Sequence, residues 1–268
     1  QPAMTAASFA EQVDSNEGSK AVDNKLAKLL IDVCRSQSVA VFGNVSIAIL
    51  LAAGIAWGYA YTHGQPLLNE AVTAYQLKSI EIFTQPTLWY AAIAGVWLFC
   101  SGIIAGFFDN RSDYLNLRQR LPFNPLLRKI MRPEPRRRLA AYIHKHYGSL
   151  MGNFIFGMLL GMTGYFGHLF GLPLDIRHVA FSSANLGYAA ISDHVDIFTF
   201  MLGLASVLAI GMVNLVVSFS LALAVALRSR GTRLGSIRNL LKSFWSQVKA
   251  NPLILLYPVQ VNNKDNTK

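Results

Sequence analysis

The sequence predicts an all-α fold: a polytopic membrane bundle of four transmembrane helices, with amphipathic helices at the interface. Three observations carry that prediction. Only 14% of the 268 residues are charged and 53% are hydrophobic, whereas a soluble domain carries about a quarter charged residues. The charges are absent from four windows, 36–69, 82–108, 146–174 and 197–227, each long enough for the roughly 20 apolar residues that cross a bilayer. The windows are also continuously apolar, which selects helices over the alternating strands of a membrane barrel.

In chain order, residues 1–38 comprise a small, polar linker and a short amphipathic approach helix with Leu26, Leu29, Leu30 and Val33 on one side. Residues 39–227 form the membrane domain, with spans near 39–61, 88–108, 151–170 and 197–227 and a basic loop at 109–150. The last window, 31 residues long, exceeds one bilayer thickness and therefore tilts or extends past it. Residues 228–268 form a basic tail. Within it, Ile237, Leu240, Leu241, Phe244, Trp245 and Val248 recur at helical spacing, opposite Arg238, Lys242 and Lys249. That pattern suits a helix lying on an anionic membrane surface, or one docked on another part of the protein.

The net charge of +10 is unevenly placed. Lys78 and Arg177 are the only basic residues in the two connectors after the first and third spans, and the other 22 of the 24 lie before the first span, in the 109–150 loop or in the tail. The positive-inside rule then puts both termini and the basic loop in the cytoplasm, and for a Gram-negative cell this means an inner-membrane protein. Arg136, Arg137 and Arg138 in the loop, with Arg238 and Lys242 in the tail, are the expected contacts to anionic lipid. The same loop invites a nucleic-acid reading, but it has little aromatic interleaving for stacking on bases. Nucleic acid is therefore a disfavoured partner that stays open, as does a homo-oligomer.

Cys34 and Cys100 fall in regions that this topology separates, so both are expected as free thiols. Gln1 is a poor first residue for a complete chain, and the sequence reads as part of a longer protein whose N-terminal portion would be a further partner.

Glycine is patterned. Gly157, Gly161, Gly164, Gly167 and Gly171 fall on one face of the third span, the arrangement that lets another backbone approach closely in lipid. Gly54/Gly58 and Gly102/Gly106 repeat the four-residue step. The first and third spans both open with Gly-Asn and both reach a Gly-x-Pro-Leu, at 64 and 171, which suggests a parallel repeat.

The stretch Gly171–Ala189 concentrates polar chemistry. If 175–192 is helical, Asp175, His178, Ser182 and Asn185 share a face, with Asp175 suited to the N-cap. Arg177 can pair with a carboxylate or a phosphate. Asp175, Arg177, His178, Ser182, Asn185 and Asn214 are thus candidate ligand-binding residues, and the competing reading is a structural cap and a helix-packing polar face. No catalytic residue is assigned, because a Ser-His-Asp set on one face of one helix lacks the converging geometry of a triad. Asn44, Asn153 and Asn214 are amides within or at the ends of spans, where burial requires hydrogen bonds. No metal-ligand spacing or phosphate-cradling loop occurs, and nothing calls for a cofactor.

The stretch "GNFIFGMLLGMTGYFGHLFGLPLDIRHVAFSSANLGYA" resembles the signature region of bacterial transmembrane proteins labelled site-specific recombinases (the Gcr type), as their C-terminal membrane portion. The opening "QPAMTA" is similar to a segment those proteins carry after an earlier membrane helix. The resemblance implies a Gram-negative inner-membrane protein, and the label implies DNA strand exchange. The residues present supply no such site: none of the six histidines has Arg three residues on, as a tyrosine recombinase needs. The expected role is a non-enzymatic helix-packing module that binds lipid or a small ligand. The alternatives are a transporter or channel half, and a membrane-tethered DNA protein whose chemistry lies in the N-terminal part.

Overall fold

The computed structural model describes residues 19–192, 195–229 and 237–255. The expected linker through residue 18 and the end of the basic tail, 256–268, lie outside them. The described elements are α1 (Ser19–His63), α2 (Glu70–Ile80), α3 (Thr87–Tyr114), α4 (Leu117–Arg120), a 3-10 turn (Leu121–Phe123), α5 (Pro125–Ile130), α6 (Pro133–Phe170), α7 (Val179–Ala189), α8 (Ile197–Ser229), α9 (Ile237–Ala250) and a second 3-10 turn (Pro252–Leu255). No strand occurs among the described residues.

Four of these helices are long and apolar enough to cross a membrane: Leu26–His63, Thr87–Tyr114, Pro133–Phe170 and Ile197–Ser229. Each contains one of the four expected spans. The approach segment and the first span are a single helix, α1, because no glycine-proline break falls between them; within the approach segment Asp32 pairs with Arg35 at 2.6 Å. α1 and α6 end the same way. Gly64 and Gly171 adopt left-handed φ values of +67° and +62°, which cost glycine no Cβ clash, and a proline two residues later blocks further helix.

The burial pattern is that of a protein packed in lipid. Phe42, Leu50, Trp57, Phe107, Phe154 and Phe198 are exposed, while Ala52, Ala91, Ala94, Ala105, Ser101 and Ser218 are buried. A water-soluble core inverts this order. In hydrocarbon, large apolar side chains lose nothing by facing outward, and small ones let backbones approach.

The close contacts sit at particular glycines. α3 and α6 pack antiparallel where a Cβ on Gly148 would lie 2.3 Å from the Ala105 carbonyl, and one on Gly152 2.9 Å from the Ala105 Cβ. The Gly148 N–H donates to Asp109 Oδ1 at 2.8 Å in the same crossing. α7 lies against α1 at Gly187, and α3 against α8 at Gly95. The glycine face expected to carry the third span's packing does not do so. Gly157 and Gly161 meet open space, as do Gly54, Gly58 and Gly106. Only Gly167 is tight, and its neighbour is the Leu174 backbone rather than a helix. α3 takes the opposite face of α6 because that face also offers the Asp109 and Thr163 hydrogen bonds.

Two clusters complete the core. Val45, Ile80, Ala91, Val179, Leu186, Val207 and Ile210 meet where α1, α2, α3, α7 and α8 converge. Leu26, Ala27 and Leu240 form a second cluster, with Phe244 and Leu223 against it. The inner edge of α9 therefore docks on α1 and the end of α8, while Leu241 and Trp245 stay exposed beside Arg238 and Lys242. Cys34 and Cys100 are free thiols.

Candidate functional site

The polar stretch after α6 does not form a helix from residue 175. The chain turns at Gly171 and runs back along α6 in extended form through His178, and helix begins only at Val179. The Leu174 carbonyl lies against Gly167, an Asp175 carboxylate oxygen approaches Gly164, and the His178 ring meets Phe156 edge-on at 5.2 Å. The segment thus re-enters the bundle before α7 leads out again. Irregular backbone at such depth must have its polar groups satisfied from inside the protein.

Asn214 does most of this. Its Oδ1 accepts the Val179 N–H at 3.0 Å, and its Nδ2 donates to the Arg177 carbonyl at 3.1 Å and to the Ala91 carbonyl of α3 at 2.7 Å. One amide, 2% exposed, therefore joins α8, α3 and both sides of the break. The Arg177 N–H donates to the Tyr90 carbonyl. The Arg177 side chain reaches elsewhere. Nε donates to the Ser79 carbonyl at the end of α2 at 2.6 Å, Nη1 pairs with Asp175 Oδ2 at 2.7 Å, and the guanidinium lies 5.7 Å from the Tyr90 ring centroid. A cation on the last carbonyls of a helix suits the helix dipole.

The N-cap of α7 is His178 rather than Asp175: its Nδ1 accepts the Ala180 N–H at 3.4 Å. Asp175 instead spends its oxygens on Arg177 and on the Ile176 N–H. Ser183 donates to the Val179 carbonyl. Ser182 is buried and its Oγ has no partner. Asn185 lies half-buried on the next turn. Asp175, Arg177, His178 and Asn214 are therefore brought to one break in the backbone, while Ser182 and Asn185 sit farther along α7. Asn44 and Asn153 are exposed on the outside of the bundle rather than buried in hydrogen bonds.

Two features escaped sequence reasoning. On α2, Thr73 Oγ1 and Gln76 Oε1 are buried without partners, as Ser182 Oγ is on α7, and α2 packs against α7. Their three-residue spacing gave the only hint, and it is too common to use. The second feature is a cavity of about 540 Å³ at the basic end of the α3–α6 pair, lined by Arg118, Gln119, Pro122, Phe123, Arg136, Arg137 and Ala141. The basic run at 136–138 marked half of it, but Arg118 arrives from another element. Arg138 does not line it.

The family model described as "Site-specific recombinase" matches residues 1–258. The chain belongs to this site-specific recombinase family. The match spans all four helices that are long and apolar enough to cross a membrane, together with the backbone break between α6 and α7. No curated protein and no solved structure matches the chain.

Proposed function

We propose that this chain is a non-enzymatic membrane module of the recombinase family, which braces a re-entrant segment inside a helical bundle and holds anionic lipid on its basic faces. The observation that carries this reading is the use of the polar residues at the break. Asn214, Arg177 and Asp175 are committed to backbone groups and to each other, which is the bonding of a brace rather than of a reacting centre. The basic faces are Arg136, Arg137 and Arg138 on α6, with Arg238 and Lys242 on α9, and both termini lie with them in the cytoplasm. Cysteine labelling in right-side-out and inverted vesicles tests the topology: positions 137 and 177 should label from opposite sides. Vesicle co-sedimentation tests the lipid role. Wild type should prefer phosphatidylglycerol to phosphatidylcholine, and replacing Arg136, Arg137 and Arg138 by Gln should weaken that preference without loss of helicity.

A second reading, a transporter or channel half, is favoured by the broken helix and by the unpartnered Thr73, Gln76 and Ser182 oxygens. Broken helices line many transport sites. Flux in proteoliposomes that disappears with Asn214→Ala or Asp175→Asn, with the fold intact, would select it. The family description supports a third reading, DNA processing. It requires duplex binding in detergent that falls steeply with salt and vanishes when Arg136, Arg137 and Arg138 become Ala.

A further inference from the structure

We propose that the cavity between the α4–α5 elbow and the start of α6 is a phosphate site, and that the phosphate belongs to the headgroup of an anionic phospholipid. This deepens the lipid-holding role above and rests on it.

Three guanidinium-bearing side chains, Arg118, Arg136 and Arg137, line one space of about 540 Å³. No carboxylate lines it, and the ion pairs among the described residues include none of the three arginines. The Arg136 Nε is buried and has no hydrogen-bond partner. Like charges around one pocket repel each other, and a buried guanidinium nitrogen without an acceptor carries a desolvation cost. A bound anion removes both penalties. Phosphate matches the planar fork of an arginine, which can donate two parallel hydrogen bonds to it. Gln119 adds an amide donor on the same wall.

The rim selects the source of the phosphate. Phe123, a lining residue, is 70% exposed, and Leu126 and Ile130 on α5 beside it are 69% and 77% exposed. Such side chains on a short elbow are costly in water and suited to the acyl boundary of a bilayer. A phosphodiester headgroup with its chains along this apolar rim uses both halves of the site. A duplex would use only the arginines.

The test uses the whole chain, purified in mild detergent, exchanged with mixed phosphatidylglycerol and phosphatidylcholine, and examined by native mass spectrometry. Wild type should retain one phosphatidylglycerol in preference to phosphatidylcholine. Arg118→Gln with Arg136→Gln should cut that retained fraction about tenfold, a loss of about 1.4 kcal/mol. Arg128→Gln with Lys129→Gln removes the same charge from α5 outside the cavity and should leave more than half. Arg137→Gln alone, at an exposed position, should lower retention severalfold and guards against misfolding of the double variant. Helicity and a monodisperse elution profile must be unchanged throughout. Equal loss in both double variants would overturn the cavity and leave diffuse attraction by the basic face. Absence of any phosphatidylglycerol preference in wild type would overturn the lipid reading itself. Retention of inorganic phosphate with no lipid, or of a short DNA duplex that the cavity variants release, would overturn the assignment to lipid.

Discussion

The connectors after α1 and α6 are built from the same parts and end in different places. Each begins at a left-handed glycine, continues with Pro66 or Pro173, and holds a helix of 11 residues before the next long helix. In α2 only Thr73 and Ile80 are buried, whereas in α7 Val179, Ser182, Ser183, Leu186, Gly187 and Ala189 are. α2 carries Glu70 and Lys78, which hold it at the surface. α7 carries no charge, and Gly187 lets it touch α1 while Gly203 and Gly211 of α8 accept Leu186 and Val179. The difference teaches that Gly-x-Pro specifies only where a helix stops. How deep the next helix lies depends on glycines at its contacts, its own Gly187 and those of α8, and on one amide supplied by α8.

The seat of α7 can be broken where it meets α1. A Cβ at Gly187 would sit 2.5 Å from the Ile49 carbonyl, so Gly187→Leu should cost about 3 kcal/mol or more and expel α7 from its seat. Ala74→Leu on the exposed side of α2 should shift the melting temperature in detergent hardly at all. Equal effects would mean that α7 is no more deeply seated than α2.

Asn214→Leu comes next. It leaves the Arg177 carbonyl and the Val179 N–H without their partner in an apolar interior, at about 1–3 kcal/mol. Thr87, whose Oγ1 donates to the Glu81 carbonyl, is the counterpart in the first connector, and Thr87→Val should cost about 1 kcal/mol. Hydrogen exchange should localise the first loss to residues 175–183 and the second to 81–90.

Arg177 is where the two connectors touch. Arg177→Lys keeps a positive charge but loses the Nε bond to Ser79 and the planar group over Tyr90, so about 1.5 kcal/mol should go. A drop in protection at the end of α2 would identify the cause. An unchanged α2 would show that the bond contributes nothing.

The smallest effect concerns caps. Asn69 Oδ1 accepts the Val72 N–H at the start of α2, and Asp196 Oδ1 accepts the Thr199 N–H at the start of α8. The hydroxyl and N–H of Thr199 hold the Asp196 carboxyl below its ordinary value of 3.8. Because the folded value is the lower one, the cap's contribution is complete above that ordinary value and is lost as pH falls through the depressed one. Amide exchange in the first turn of α8 should therefore be faster at acid pH than its intrinsic rate predicts, and α2, capped by an uncharged amide, should show no such change. Asp196→Asn should abolish the difference.

Much of this was legible in the order of residues. Charge-free windows locate the four long helices because a bilayer excludes ions regardless of what packs on what. Gly-x-Pro-Leu at 64 and 171 was legible as a repeated feature, and both glycines end helices because left-handed backbone is a local property. Asn214 stood out as an amide near the middle of 31 charge-free residues, and its three hydrogen bonds are what such burial requires. The extended path of Asp175–His178 was not legible, since without Asn214 and Tyr90 those residues suit a helix equally well. The choice of Gly148 and Gly152 over Gly157 and Gly161 was hidden for a similar reason. Both pairs have the same spacing, and the hydrogen bonds of Asp109 and Trp97 on α3 select between them.

The sequence by itself determined that the chain has four helices long and apolar enough to cross a membrane, and where α1 and α6 stop, because hydropathy, glycine and proline act within a few residues. Tertiary structure alone decided that α7 is buried while α2 is not, and that Arg118 joins Arg136 and Arg137 around one cavity. Those outcomes depend on surfaces that meet across long stretches of chain, and no local preference encodes them.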